Sequence, residues 1–397
     1  MEEVIIIEEK RKKKILFVSG SSKPIPAAQG GAIEYLTQKL IEYSKQTKTM
    51  IEFYVLSNSL DLADNPEAGV FYYREEDNLF YKSRVFLYRC TNRLMKNKQK
   101  YTQIKANLLI KLNELTKIYH FDEIIMLNYG IYCPEIKKFY SGKLSLYLHN
   151  DYLNKHTYRK NSIKKSIDRV ISVSSFINQK VQEIVDETDN FSSVIIENGI
   201  DMDKFLPVTS RKKILLRSQL GIGENLSVIL FSGRVDRSKG ITYLIDAIQK
   251  IDNKKIMLLV VGMSSNKQLL KKISQAGINV KVIGQVSQEQ MPIYYQLADI
   301  CVIPSIVQES FCLVNIEAQA CGTPVISTDS GALKEYFYGN KHLQVSTDFK
   351  NLTNNLIKSI HFFLQNKELI NQIDYRKHAK NFSLEKMYRN LIQEVMK

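Results

Sequence analysis

Arg234 and Lys239 stand five residues apart in the string GRVDRSKG (233–240). On a glycine-bounded loop, a guanidinium can fork onto two phosphate oxygens while an ammonium adds a compact charge, a pairing that suits a diphosphate. The plain alternative is a solvated surface loop. Glu309 and Glu317 lie eight residues apart in SIVQESFCLVNIEAQACGTPVI (305–326). If that stretch is a short loop running into a helix, Glu309 falls at or just before the first turn. Glu317 then lies roughly 12 Å further along the axis and within roughly 80° on the helix face. Two acids so spaced cannot share a proton or a metal, but they can hold two hydroxylated parts of one long ligand. The competing reading is an exposed helix face with an acid favoured at the positive end of the dipole. His149, in His149-Asn150-Asp151, would stand at the carboxyl end of a strand, either structural or facing a ligand. Gly30 and Gly31 either cap a helix or let backbone N–H groups approach an anion.

The elements that must carry these residues alternate between strand and helix. Apolar runs at Ile15–Ser19, Ile51–Leu56, Glu123–Leu127, Leu144–Leu148, Val170–Val173 and Val194–Ile196 predict strands in the first half. Runs at Val228–Ser232, Leu258–Gly262, Lys281–Gly284, Asp299–Pro304 and Pro324–Ser327 do so in the second. Helical patterns cover 32–45, 241–251, 289–297 and much of the chain past 350. Each half opens on a strand, a glycine-bearing loop and a helix, which predicts an α/β chain of two doubly wound, Rossmann-like units. No G-x-G-x-x-G occurs, so a dinucleotide reading lacks support. The Asn198-Gly199 turn, Pro207 and the basic run Arg211–Lys213 mark an exposed connection. They put a boundary near residue 205 and divide the chain into 1–205, 206–380 and a helical tail, 381–397.

On those elements, the E-x7-E segment from Glu309 to Glu317 and the GR-x4-K loop resemble the donor-site motifs of retaining glycosyltransferases of the GT-B fold, family four in particular. Asn198-Gly199-Ile200-Asp201 resembles the N-G-x-D sequence at that family's interdomain hinge. The resemblance covers most of the chain and is most specific from 198 to 326. It departs at Cys312, where the family carries glycine. It implies two Rossmann-like domains facing across a cleft, with the tail 381–397 returning to the first. It also implies retaining transfer of a hexose-type sugar from a nucleoside-diphosphate sugar, UDP being the expected carrier, to a glycan or lipid-linked acceptor in cell-surface polysaccharide or glycoconjugate synthesis. On this resemblance Arg234 and Lys239 meet the diphosphate, Glu309 the donor sugar, Glu317 the ribose hydroxyls and His149 the reacting sugar. Gly30 and Gly31 lie near the phosphates and acceptor, Gln285 and Val286 against the nucleobase, and Phe311, Cys312 and Leu313 line the donor site. No cofactor is expected, and no metal, because no D-x-D stands where one would be held. Two other classes share the fold: a sugar-nucleotide epimerase, and a non-catalytic partner subunit that would not need these charged residues intact.

The chain has 397 residues, enough for two cores, and its 44% hydrophobic and 24% charged content is that of a globular protein. A net charge of +15 points to anionic partners. Ten Lys or Arg against one acid fall between Tyr81 and Lys117, with Phe86, Leu87, Tyr88, Leu94, Met95 and Leu109 interleaved. That stretch is either a solvated helix pair or a surface that meets anionic lipid headgroups. Nucleic acid is not expected, since no binding motif accompanies the charge. The five cysteines are scattered singly, which suits a reducing compartment. With the apolar Val4–Ile7 run ahead of its cations and no apolar run near 18 residues, the chain reads as cytoplasmic, peripheral at the inner face of the plasma membrane if the basic stretch meets lipid.

Overall fold

The computed structural model describes residues 11–27, 31–47, 49–59, 61–74 and 106–397. The stretch 81–105, which holds most of the cationic region, lies outside the described residues, as does Gly30. The chain divides into two compact units. One comprises Met1–Val173, Ile177–Ile196 and Tyr388–Lys397, the other Ser174–Phe176 and Glu197–Met387.

The first unit holds strands β1 (Lys13–Ser19), β2 (Ile51–Asn58), β3 (Val70–Tyr73), β4 (Glu123–Leu127), β5 (Lys143–Leu148), β6 (Arg169–Ser172) and β7 (Ser192–Ile195). They form one parallel sheet in the order β3-β2-β1-β4-β5-β6-β7. Central strands such as Ile15–Val18 and Ile124–Met126 are wholly buried, which is why they read as unbroken apolar runs instead of alternating ones. The terminal helix Leu384–Met396 contributes its last turns to this unit. There the Tyr388 ring packs on Tyr43 and Phe53, Thr47 donates to the Tyr388 hydroxyl at 3.0 Å, and Lys13 Nζ donates to Val395 O at 3.0 Å.

The second unit holds β8 (Ser227–Ser232), β9 (Ile256–Val261), β10 (Val280–Gly284), β11 (Ile300–Ile303), β12 (Val325–Thr328) and β13 (Gln344–Val345). Its sheet is also parallel, in the order β10-β9-β8-β11-β12-β13. Helix Ile241–Ile251 lays Ile241, Leu244, Ile245 and Ile248 on one face of the sheet, where Phe231 and Leu258 complete a closed core. Truncating such a Leu to Ala costs about 2–5 kcal/mol. In both units the strand order reverses beside the first strand, the doubly wound pattern expected from the sequence.

Candidate active site

In the second unit the chain leaves β8 for a helix on the way to β9, and leaves β11 for one on the way to β12. Because β8 and β11 are neighbours, their outgoing loops diverge and open a crevice at the strands' carboxyl ends, where ligands bind in sheets of this kind. The loop after β8 carries Arg234 and Lys239. The loop after β11 carries Glu309.

The β8 loop is fixed from within. The Asp236 carboxylate accepts the backbone N–H groups of Ser238 at 2.8 Å and Lys239 at 3.2 Å, and the Ser238 hydroxyl as well, capping a short turn at Arg237–Lys239. Gly240 ends that turn at φ 72°, and a Cβ there would lie 1.7 Å from Pro304 O. Ile306 N–H donates to Ser238 O at 3.0 Å. A glycine and one backbone hydrogen bond thus press the two loops together. Arg234 is 74% exposed and only 3.5 Å from Asp236, a surface pair worth about 0–1 kcal/mol, so its guanidinium is open to a ligand.

Lys239 Nζ lies 2.5 Å from Glu309 Oε1, and the buried Ser305 hydroxyl donates to the same oxygen at 2.6 Å. The Glu309 backbone is tied to the loop after β12: Ala332 N–H donates to Glu309 O at 2.7 Å, and a Cβ on Gly331 would lie 2.4 Å from that oxygen. Of the two expected placements of Glu309, at or just before the first helical turn, the structure has the second. Helix Leu313–Ala320 begins four residues later, so Glu309 is a loop residue and helical reckoning of its distance to Glu317 does not apply. The cause is at Cys312, which precedes the helix with φ 72° and no side-chain cap. This is the backbone region that glycine tolerates best, and the chain holds it here with a β-carbon. Phe311 turns inward, its ring 4.5 Å from that of Tyr336, while Leu313 stays half-buried.

Glu317 is buried on helix Leu313–Ala320, and both of its oxygens accept from the protein. The Tyr295 hydroxyl donates to Oε2 at 2.7 Å and Gln288 Nε2 to Oε1 at 2.6 Å. Burial pushes the Glu317 carboxyl up from its ordinary range, and these two hydrogen bonds work against that shift. Gln285 and Val286 follow β10, Gln285 exposed and Val286 half-buried. Sequence reasoning did not find Ser305, Gly331, Gln288 or Tyr295. Gln288 and Tyr295 flank the start of helix Met291–Leu297 and meet Glu317 across 29 and 22 residues, a pairing no local pattern announces.

In the first unit, His149 directly follows β5 and is buried. Its backbone N–H donates to Asn128 Oδ1 at 2.7 Å, its ring lies 4.3 Å from that of Tyr147, and Asn128 follows β4 at φ 61°. The histidine is therefore held at the carboxyl ends of adjacent strands. Gly31 precedes helix Ala32–Gln46 at φ 121°, and a Cβ there would lie 2.1 Å from Glu34 Oε2. Among the described residues, no group of three or more His, Cys, Asp or Glu could hold a metal ion, and no helix is long and apolar enough to cross a membrane.

Residues 212–380 match the family model described as glycosyl transferases group 1. An uncharacterized glycosyltransferase of Methanocaldococcus jannaschii is 35% identical over 172 residues, 42% of this chain and 44% of that protein. The lipopolysaccharide 1,2-N-acetylglucosaminetransferase of Salmonella typhimurium is 33% identical over 133 residues, 30% of this chain and 35% of that protein. The chain thus spans less than half the length of these two relatives. Among solved structures, HepE from Anabaena in complex with UDP and glucose superposes with a TM-score of 0.70 over 97% of this chain and 99% of that one, at 18% identity. The fold is accordingly GT-B.

Proposed function

With residues 212–380 matching the family model of group 1 glycosyl transferases and the whole chain in the GT-B fold, we propose that this protein is a retaining glycosyltransferase. It moves a hexose-type sugar from a nucleoside-diphosphate sugar to a glycan or lipid-linked acceptor. The observation that carries this reading is the contact between Lys239 and Glu309 at 2.5 Å, on two loops that part at the β8–β11 switch point. A cation for phosphate and a carboxylate for sugar hydroxyls stand together where a bond between phosphate and sugar would have to lie. The UDP and UDP-glucose complexes of HepE support uridine as the base and glucose-like sugars as first candidates.

As the diphosphate departs, positive charge develops at the anomeric carbon and negative charge on the phosphates. Arg234 and Lys239 are the groups that meet the second of these, and as fixed charges they need no reorganisation at that moment. Diphosphate binding draws the Lys239 ammonium away from Glu309, and the freed carboxylate accepts from the sugar hydroxyls while Ser305 keeps it in place. Glu317 accepts from the ribose. His149 faces the reacting sugar, and Gly31 lets backbone N–H groups approach the ligand. Gln285 and Val286 pack on the base. The cationic stretch between Tyr81 and Lys117 supports docking on anionic membrane, where lipid-linked acceptors reside.

The test is hydrolysis and transfer with a panel of UDP- and GDP-sugars, with the anomeric configuration of the product followed by NMR. Turnover of at least one donor with retention is the expected result. Inversion would refute the retaining reading. Rearranged sugar nucleotide formed without acceptor would make the protein an epimerase.

A further inference from the structure

Glu317 presents a satisfiability problem with one good answer. An ionised carboxylate offers about four acceptor positions, two on each oxygen, and no donor. The protein fills one on each: Gln288 Nε2 on Oε1 at 2.6 Å and the Tyr295 hydroxyl on Oε2 at 2.7 Å. One acceptor position remains on each oxygen, on a side chain only 4% exposed. A ligand that satisfies both must bring two O–H donors on adjacent atoms, as a vicinal diol does. A ligand with a single hydroxyl leaves one buried acceptor unpaired, which carries a penalty larger than the bond itself gains.

We propose that Gln288 and Tyr295 are positioning residues that aim Glu317 at a vicinal diol, and that through them the site selects the ribose over the 2′-deoxyribose form of its nucleoside diphosphate. The inference rests on the reading above in which Glu317 meets the ribose. Both donors come from one short stretch. Gln288 lies in the turn where Met291 N–H donates to Ser287 O, and Tyr295 lies one turn into the helix that follows. Tyr295 is wholly buried, and its hydroxyl also lies 3.5 Å from Ser232 Oγ at the end of β8. The aim of Glu317 is therefore set by the loop after β10 and the end of β8. It is not set by its own helix alone.

The arrangement also governs ionisation. Burial raises the Glu317 carboxyl, while Tyr295, Gln288 and the more distant Lys204 lower it. The thiols of Cys301, Cys312 and Cys321 are the other titratable groups that face it. Removing the Gln288 amide leaves burial less opposed, so the pH below which binding fails should move upward.

The experiment is calorimetric titration of the full chain with UDP, GDP, their 2′-deoxy counterparts and inorganic pyrophosphate. The parent should bind the ribose form of at least one nucleotide about 10- to 100-fold more tightly than the deoxy form. In Gln288→Ala and Tyr295→Phe that ratio should fall to within about threefold, with pyrophosphate affinity unchanged as the control for an intact phosphate site. The acid limb of UDP or GDP binding in Q288A should shift to higher pH, which loss of packing alone would not cause. A parent preference for ribose that persists undiminished in both variants overturns the positioning role and leaves the Glu317 reading standing. A parent that binds ribose and deoxyribose forms equally, or binds neither nucleotide, overturns both.

Discussion

Substituting Gly240 with alanine tests whether the two loops that carry Lys239 and Glu309 work as one body. The added Cβ would lie 1.7 Å from Pro304 O, whereas 3.0 Å is the least that real Cβ atoms show, so backbone must give way by about 1.3 Å. The φ of 72° adds about 1–2 kcal/mol for a residue with a β-carbon. Forcing the loops apart adds about 1–3 kcal/mol of overpacking. The expected loss is therefore about 2–5 kcal/mol, a fall in Tm of roughly 5–15 °C for a unit of this size. Function should suffer more than stability. The displaced loops carry Lys239 and Glu309, and a misplacement of about 1 Å at a reacting centre can cost about 10²-fold in kcat/KM. Gly221→Ala is the control: its φ is 66° with nothing within 4 Å of an added Cβ, so it should lose about 1 kcal/mol and no activity. Differential scanning fluorimetry and donor hydrolysis on the three proteins decide the matter. Should G240A melt within 2 °C of the parent and hydrolyse donor within threefold of it, the loops are not coupled as described.

Arg234→Ala and Lys239→Ala should each lower kcat/KM by about 10²-fold or more while folding normally, the scale of one lost electrostatic donor; steady-state kinetics on the best donor measures this. Transfer should survive EDTA, because fixed cations and a helix N-terminus take the place of Mg²⁺; loss in chelator that Mg²⁺ or Mn²⁺ restores would contradict it. Cys312→Gly relieves a φ of 72° and should raise unfolding free energy by up to about 1 kcal/mol in urea titrations, and a marked loss would show that the thiol's packing outweighs the strain. The Asp186 carboxyl is held at about 2 by its hydrogen bond from Lys164. A depressed acid stabilises the fold above its unfolded value and loses that contribution as pH falls through its folded one. The Tm advantage of the parent over Asp186→Asn should therefore be full above about pH 4 and vanish towards pH 2.

The sequence made the sheets legible because buried parallel strands are continuous apolar runs. Glu123–Leu127 and the helix Ile241–Ile251 fall where expected, and most other strands differ by a residue or two at their ends. What escaped were β3 and β13, edge strands of only four and two residues, too short to stand out as separate elements. The GR-x4-K loop was legible because glycine and charge alternate within eight residues. The start of helix Leu313–Ala320 was not, because Cys312 supplies neither a side-chain cap nor the glycine that would signal a left-handed residue. Nothing in the sequence sets Gly240 and Gly331 apart from other loop glycines, and only the approach of another backbone reveals why they cannot be replaced. Cross-chain partners such as Gln288 and Tyr295 are set by tertiary packing, on which spacing along the chain is silent.

The first unit is sewn shut from the far end of the chain. Its core is incomplete until Tyr388 reaches Tyr43 and Phe53 and Val395 O meets Lys13, yet 191 residues of the other unit, Glu197 to Met387, are made in between. At about 5–20 residues per second, a ribosome spends roughly 10–40 s on that interval. Throughout it the nascent first unit has a sheet with an uncovered aromatic patch, while the second can close its own core as soon as it emerges. The earlier-made of the two units is thus the later to finish, and for those seconds it is the one more dependent on whatever shields young chains from one another.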